Sequence, residues 1–138
     1  MKKLLLALFT VLSLVGNAQE SKVYKIIQSE WYMYDNIKEE WRLQTQNKDV
    51  SIDLVVYKNV VNVQAKTPTL YRLDESSKRK IGTKDVVGFR YDAIECVNME
   101  KCTVDIATMQ DADIFLFSVI VKKDEYLVNL RFFAKYKE

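Results

Sequence analysis

The sequence predicts an all-β fold: an antiparallel up-and-down meander of eight or nine strands closing as a small barrel, with a two-sheet β-sandwich as the alternative. Three observations carry this. Apolar residues alternate with polar ones at a period of two along most of the chain, as in Trp41-Arg42-Leu43-Gln44-Thr45-Gln46, and that period marks half-buried strands. Short polar clusters interrupt the rows at close intervals, so sequence neighbours should pair as hairpins. No window of ten or more residues carries a 3.6-residue period, and residues 36–40 are too few to stand alone as a helix.

Residues 1–18 come first and read differently from the rest. Lys2 and Lys3 precede a nearly unbroken apolar run from Leu4 to Val15, and Gly16-Asn17-Ala18 offers small residues before a cut. Charge, apolar core and small-residue site in that order are expected of a secretory signal peptide. The run falls short of the ~20 residues a helix needs to cross a bilayer, and no second run of that length follows. The expectation is an exported protein, periplasmic or extracellular, with one all-β domain at 19–138 and no integral membrane segment after cleavage. Loss of Lys2 and Lys3 lowers Lys+Arg from 21 to 19, equal to the 19 Asp+Glu. A neutral domain has no broad field to attract polyanions, so nucleic acid is not an expected partner.

Strands are expected at about 22–28, 30–34, 40–46, 50–57, 60–66, 69–73, 85–95, 102–108, 113–122 and 125–135, with some early ones merging. Trp41, Leu43 and Thr45 share one face. Val50, Ile52, Leu54 and Val56 form a second inward row, and Val61, Val63 and Ala65 a third. Lys58-Asn59 is expected to turn tightly because Asn tolerates positive φ, and Lys123-Asp124 likewise. Residues 74–84 read as one long polar loop, with Lys78-Arg79-Lys80 as a solvated run. The hairpin at 114–133 is the most apolar segment, with Ile114, Leu116 and Ile120 on one face and Phe115, Phe117, Val119 and Val121 on the other. No connection is long enough for a Greek key, which favours closure into a barrel over a sandwich.

Cys96 and Cys102 are the two cysteines. In an exported chain they are expected to form a disulfide, because opposed residues of a hairpin lie within disulfide reach. Cys102 is in phase with Val104 and Ile106, so that bridge should face inward.

Catalytic signatures are missing. With no histidine, Ser-His-Asp and Cys-His nucleophiles, ordinary zinc sites and an imidazole switch fall away. Asp92, Glu95 and Asp105 are scattered without a glycosidase or calcium pattern. Ser77 and Lys80 match S-x-x-K without its companion motifs. No enzyme activity, metal or cofactor is expected. Trp31, Tyr32, Tyr34 and Trp41 form an aromatic concentration suited to an apolar pocket or to the core.

Ser29-Glu30-Trp31 on an early strand, followed by an antiparallel meander, resembles the lipocalin-like barrels. That family carries Gly-x-Trp on its first barrel strand and an Arg near the last strand packed over the tryptophan. Here Ser29 stands in place of the glycine, and Trp31 and Arg131 occupy the other two places. The resemblance implies a barrel that holds one small apolar ligand, or whose open end binds another protein. The expected function is therefore a binding module for a small apolar or amphipathic ligand lined by Trp31, Trp41, Leu54, Tyr91, Phe117 and Tyr126. The alternative is a protein-interaction or dimerisation module with a filled core, acting through an exposed aromatic face or the strand at 127–133.

Overall fold

The computed structural model describes residues 21–48, 50–109 and 113–137; the signal peptide expected at 1–18 lies outside them. Ten strands form one antiparallel sheet: β1 (Ser21–Asp35), β2 (Glu40–Asn47), β3 (Ile52–Tyr57), β4 (Val60–Gln64), β5 (Thr69–Leu73), β6 (Arg79–Gly82), β7 (Val86–Glu95), β8 (Glu100–Met109), β9 (Ile114–Lys123) and β10 (Tyr126–Tyr136). Eight of them close a ring in the order β10-β9-β8-β7-β5-β4-β3-β1, sealed by the β1–β10 pair.

β2 and β6 stand outside the ring for a common reason. One edge of β1 pairs with β3 over Ser21–Ile26 and with β2 over Ser29–Asp35. Both partners run antiparallel to β1, so β2 and β3 are successive halves of one interrupted leg. β5 and β6 repeat the arrangement along β7, β5 against Ala93–Glu95 and β6 against Val87–Arg90. The molecule is thus an eight-leg meander with two broken legs, as the short connections required.

The two earliest expected strands are a single one, β1, bent by an irregularity between Ile26 and Gln28. A bulge there lets a 15-residue strand turn with the barrel wall. The segment at 74–84 is not one loop. Asp74 accepts hydrogen bonds from Ser76 N (3.0 Å) and Ser76 Oγ (2.6 Å), holding a 3-10 turn at Glu75–Ser77, and β6 follows. Its charges concealed a strand that is solvated along one edge.

Of the two tight turns expected, Lys58-Asn59 falls where the sequence put it and the other is displaced by one residue. Positive φ falls on Lys58 (50°) rather than Asn59, and the second tight loop is Asp124-Glu125, with Asp124 at 54°. Asn59 instead donates from Nδ2 to the Leu73 carbonyl at 3.3 Å, tying the β3–β4 turn to β5. Two four-residue loops share one construction. Asp35 Oδ1 accepts from the N–H groups of Ile37 (2.9 Å) and Lys38 (3.2 Å), and the Glu95 carboxylate accepts from Val97 and Asn98 (both 2.8 Å). In both loops the fourth residue has positive φ, Glu39 at 53° and Met99 at 56°. Residues 36–40 therefore belong to a turn and the start of β2, not to a helix.

Side chains pack the centre of the barrel, and a cavity of about 220 Å3 remains at the end framed by Tyr71, Glu95, Cys102, Val119, Val121 and Leu130. Ile26, Leu54, Val61, Val104 and Phe117 have 0% exposure and Val119 has 2%. Phe117 lies edge-on to Tyr71 (5.6 Å) and stacks with Phe132 (6.1 Å), while Tyr24 stacks on Phe115 (4.2 Å). Burying such side chains contributes roughly 1.5–3 kcal/mol each. The inward rows at 50–56 and 61–63 lie in or against this cluster, as their period required.

Trp41 and Leu43 do not point into the core. β2 overhangs the ring, Leu43 is exposed, and Trp41 packs edge-on against Tyr34 at 5.2 Å. Alternation assigns residues to two faces; it does not say whether either face meets a core.

Candidate outer-face binding groove

The outer faces of β5, β7, β8, β9 and β10 frame an open groove of about 780 Å3. Its residues follow from register. Ile94 of β7 sits opposite Arg72 on one side and Lys101 on the other, and Lys122 of β9 opposes Leu127 of β10. β8 and β9 pair Thr103 with Ile120, and the same register continued by two residues sets Lys101 against Lys122. One row across the sheet thus reads Arg72, Ile94, Lys101, Lys122, Leu127. The next row contributes Asp92, Thr103 and Ile120. Asn59, Asp74 and Glu75 form the far bank.

The floor is apolar: Ile94 and Ile120 are half-buried and Leu127 is 38% exposed. The charges around it are unequally engaged. Asp92 accepts from Arg79 at 3.3 Å, and its N–H donates to Ser77 Oγ at 2.8 Å. Asp74 is occupied by Ser76. Arg72, Lys101 and Lys122 have no ion-pair partner among the described residues. The β8–β9 pairing ends at Thr103 and Ile120, so Lys101 and Lys122 lie just beyond the last pair, on the same outer face.

Beside the groove the same outer face is internally satisfied. Arg90 donates from Nε and Nη2 to the two oxygens of Asp105 at 2.7 and 2.8 Å, and this bonding raises the guanidinium's proton affinity. Ser118 donates to Asn129 Oδ1 at 2.7 Å, both residues being buried. Glu30 accepts from Gln28 (3.0 Å), Tyr32 (2.8 Å) and Gln46 (2.7 Å), which fastens β2 to β1.

The six residues expected to line an interior pocket do not meet in one. Leu54, Phe117 and Tyr91 are buried in the filled core. Trp31 is 36% exposed on the overhanging part of β1, Trp41 lies on β2, and Tyr126 is 54% exposed beside the β9–β10 turn. Arg131 lies over the Tyr32 ring at 4.5 Å, whereas Trp31 is opposite Leu130 on the other face of the sheet. The arginine-over-tryptophan contact implied by the lipocalin resemblance is therefore replaced by arginine over tyrosine. The strand at 127–133 is paired with β1 and β9 on its two edges, so its backbone is not open to a partner.

The expected disulfide is not formed; Cys96 and Cys102 are both free thiols. The hairpin closes on Glu95 opposite Glu100, which sets Cys102 opposite Ala93 and leaves Cys96 beyond the last pair, in the turn. A six-residue spacing joins opposed residues only when the hairpin is centred between them, and this one is centred elsewhere. Cys102 does face inward, as its phase with Val104 required. Its thiol is pushed up to about 11 by burial, with Glu95 and Glu100 adding to the shift. Tyr71 nearby is pushed up to about 12, again chiefly by burial, then by Cys102 and the same carboxylates. A protonated thiol is a poor nucleophile and metal ligand.

Asp92, Glu95 and Asp105 are held apart, bonded respectively to Arg79, the 97–98 turn and Arg90. Ser77 Oγ donates to the Asp74 carbonyl at 2.6 Å and accepts from Asp92 N. Among the described residues no group of three or more His, Cys, Asp or Glu is placed to hold a metal ion, and no helix is long and apolar enough to cross a membrane. Comparison of the chain with protein-family models, curated proteins and solved structures finds no match.

Proposed function

We propose that the protein is a non-enzymatic binding module that takes a small amphipathic molecule on the outer face of its barrel rather than inside it. The observation that carries this reading is the size of the external groove, about 780 Å3 over Ile94, Ile120 and Leu127, against a cavity of about 220 Å3 at one end of a side-chain-packed interior. Small-molecule sites are concave, mostly apolar and of about 300–1,000 Å3. The floor is built on paired strands, so it needs no rearrangement to accept a ligand.

The test is a titration of full-length protein with 1-decanol, followed by methyl NMR. Shifts confined to Ile94, Ile120 and Leu127 are expected. Shifts centred on Leu54 and Val104 would place the ligand inside the barrel and refute the reading, as would the absence of any saturable shift.

A further inference from the structure

The groove's cations define its ligand further. We infer that the site, read as above, selects an amphipathic anion, a single carboxylate head carrying an apolar chain, with the head held by Lys101 and Lys122. This rests on the proposed function and adds the charge of the ligand to it.

Three features converge. First, Arg72, Lys101 and Lys122 occupy one row across adjacent legs of the sheet and face outward together. Of the three carboxylates that also line the groove, Asp92 is ion-paired with Arg79, while Asp74, hydrogen-bonded to Ser76, and Glu75 keep their charge on the β5 side, away from the two lysines. A bound anion would answer both Lys101 and Lys122, which lie just beyond the last β8–β9 pair on the same outer face.

Second, cations and apolar floor interleave. Ile94 lies between Arg72 and Lys101, and Leu127 is opposite Lys122. Lysine stems add apolar cover while their ammonium groups stay in water. From Ile94 on β7 to Leu127 on β10 there are three strand spacings, about 14 Å, with Lys101 and Lys122 on the two strands between them.

Third, the acids on one bank set the orientation. Asp74, Glu75 and Asp92 repel a carboxylate from the β5 side, which leaves Lys101 and Lys122 for the head and the flanking Ile94, Ile120 and Leu127 for the chain. A mature domain with equal numbers of acidic and basic residues exerts no general pull on anions, so any preference must come from this local row.

The experiment compares decanoate with 1-decanol on the full chain at neutral pH and low salt, by the same methyl shifts and by calorimetry. Decanoate is expected to bind about tenfold more tightly, as charge-assisted hydrogen bonds of about 1.5 kcal/mol imply, and to lose that advantage in high salt. The double variant K101Q/K122Q should bind the two probes equally, and K101R/K122R should keep the preference for decanoate. Both variants alter exposed side chains and should fold. Equal binding of the two probes by the unaltered protein, or an undiminished preference in K101Q/K122Q, overturns the anion inference and leaves the groove reading standing. Failure of both probes to bind overturns both.

Discussion

Replacing Gly88 by alanine separates strand propensity from the geometry of this barrel. Gly88 lies in β7 opposite Ala107 of β8. A Cβ added there would stand 2.1 Å from the Ile106 carbonyl oxygen and 2.5 Å from both Cα and Cβ of Ala107. Two of these three atoms are backbone, so no rotamer change relieves the contact, and β8 must move by about 1 Å to restore an ordinary separation. Overpacking of this kind costs about 1–3 kcal/mol. The opposing effect acts on the unfolded chain, where Gly→Ala at a tolerant position stabilises by about 0.4–1 kcal/mol. The two have opposite signs, and the clash is the larger. Net destabilisation of about 1–2 kcal/mol is expected, and with a urea slope of about 2 kcal/mol/M the unfolding midpoint should fall by about 0.5–1 M. Urea titrations followed by tryptophan fluorescence measure this directly. The pair G88A/A107G adds a finer check: it removes only the Ala107 Cβ contact, so most of the loss should remain. A midpoint that stays the same or rises in G88A would refute the close approach of β7 and β8.

Three further outcomes are expected. Phe117→Ala empties the centre of the core beside Tyr71 and Phe132 and should cost about 3–5 kcal/mol, measured as a lower thermal midpoint; a loss under about 1 kcal/mol would mean a loosely packed interior. Ser118→Ala leaves the buried Asn129 Oδ1 without its donor and should cost about 1–3 kcal/mol, whereas S118A/N129L should recover part of the loss, a result a simple packing defect would not give. Cys102 and Tyr71 have folded pKa values raised from 9.0 and 10.0 to about 11 and about 12. The unfolded chain therefore releases these protons at lower pH than the folded one. Their stabilising contribution is complete below about pH 9 and is lost as pH rises through 9 to 12. Denaturant titrations across that range should show falling stability that is blunted in C102A/Y71F, and equal slopes in the two proteins would contradict the assignment.

Much of the ring was legible in the sequence because its inward rows obey one rule without interruption. Leu54, Val61, Val104 and Phe117 sit where a period of two puts them. Misreadings cluster where a strand lacks a second neighbour. β6 lies in a charged stretch because only β7 pairs with it, and β2 alternates like a core strand although neither face is deeply buried. The cysteines were misread by register, since spacing within a hairpin does not fix its centre. The groove was hidden for another reason. Arg72, Lys101 and Lys122 are more than twenty residues apart in the chain and meet only because four legs share one alignment. Outward Lys101 beside Thr103 and outward Lys122 beside Ile120 were the available signal, but the cross-strand alignment alone turns that signal into a row.

The seam between β1 and β10 has a kinetic consequence. It pairs Tyr24 with Tyr136 and Met33 with Val128, contacts about a hundred residues apart that no local hairpin can form. Sheets dominated by such distant pairings fold in milliseconds to seconds rather than microseconds. Until the seam closes, the meander is an open ribbon with its first and last strands exposed along their edges, and such edges can pair with those of another chain. Protein concentration during refolding, more than the depth of the final energy minimum, should therefore govern the yield of native barrel.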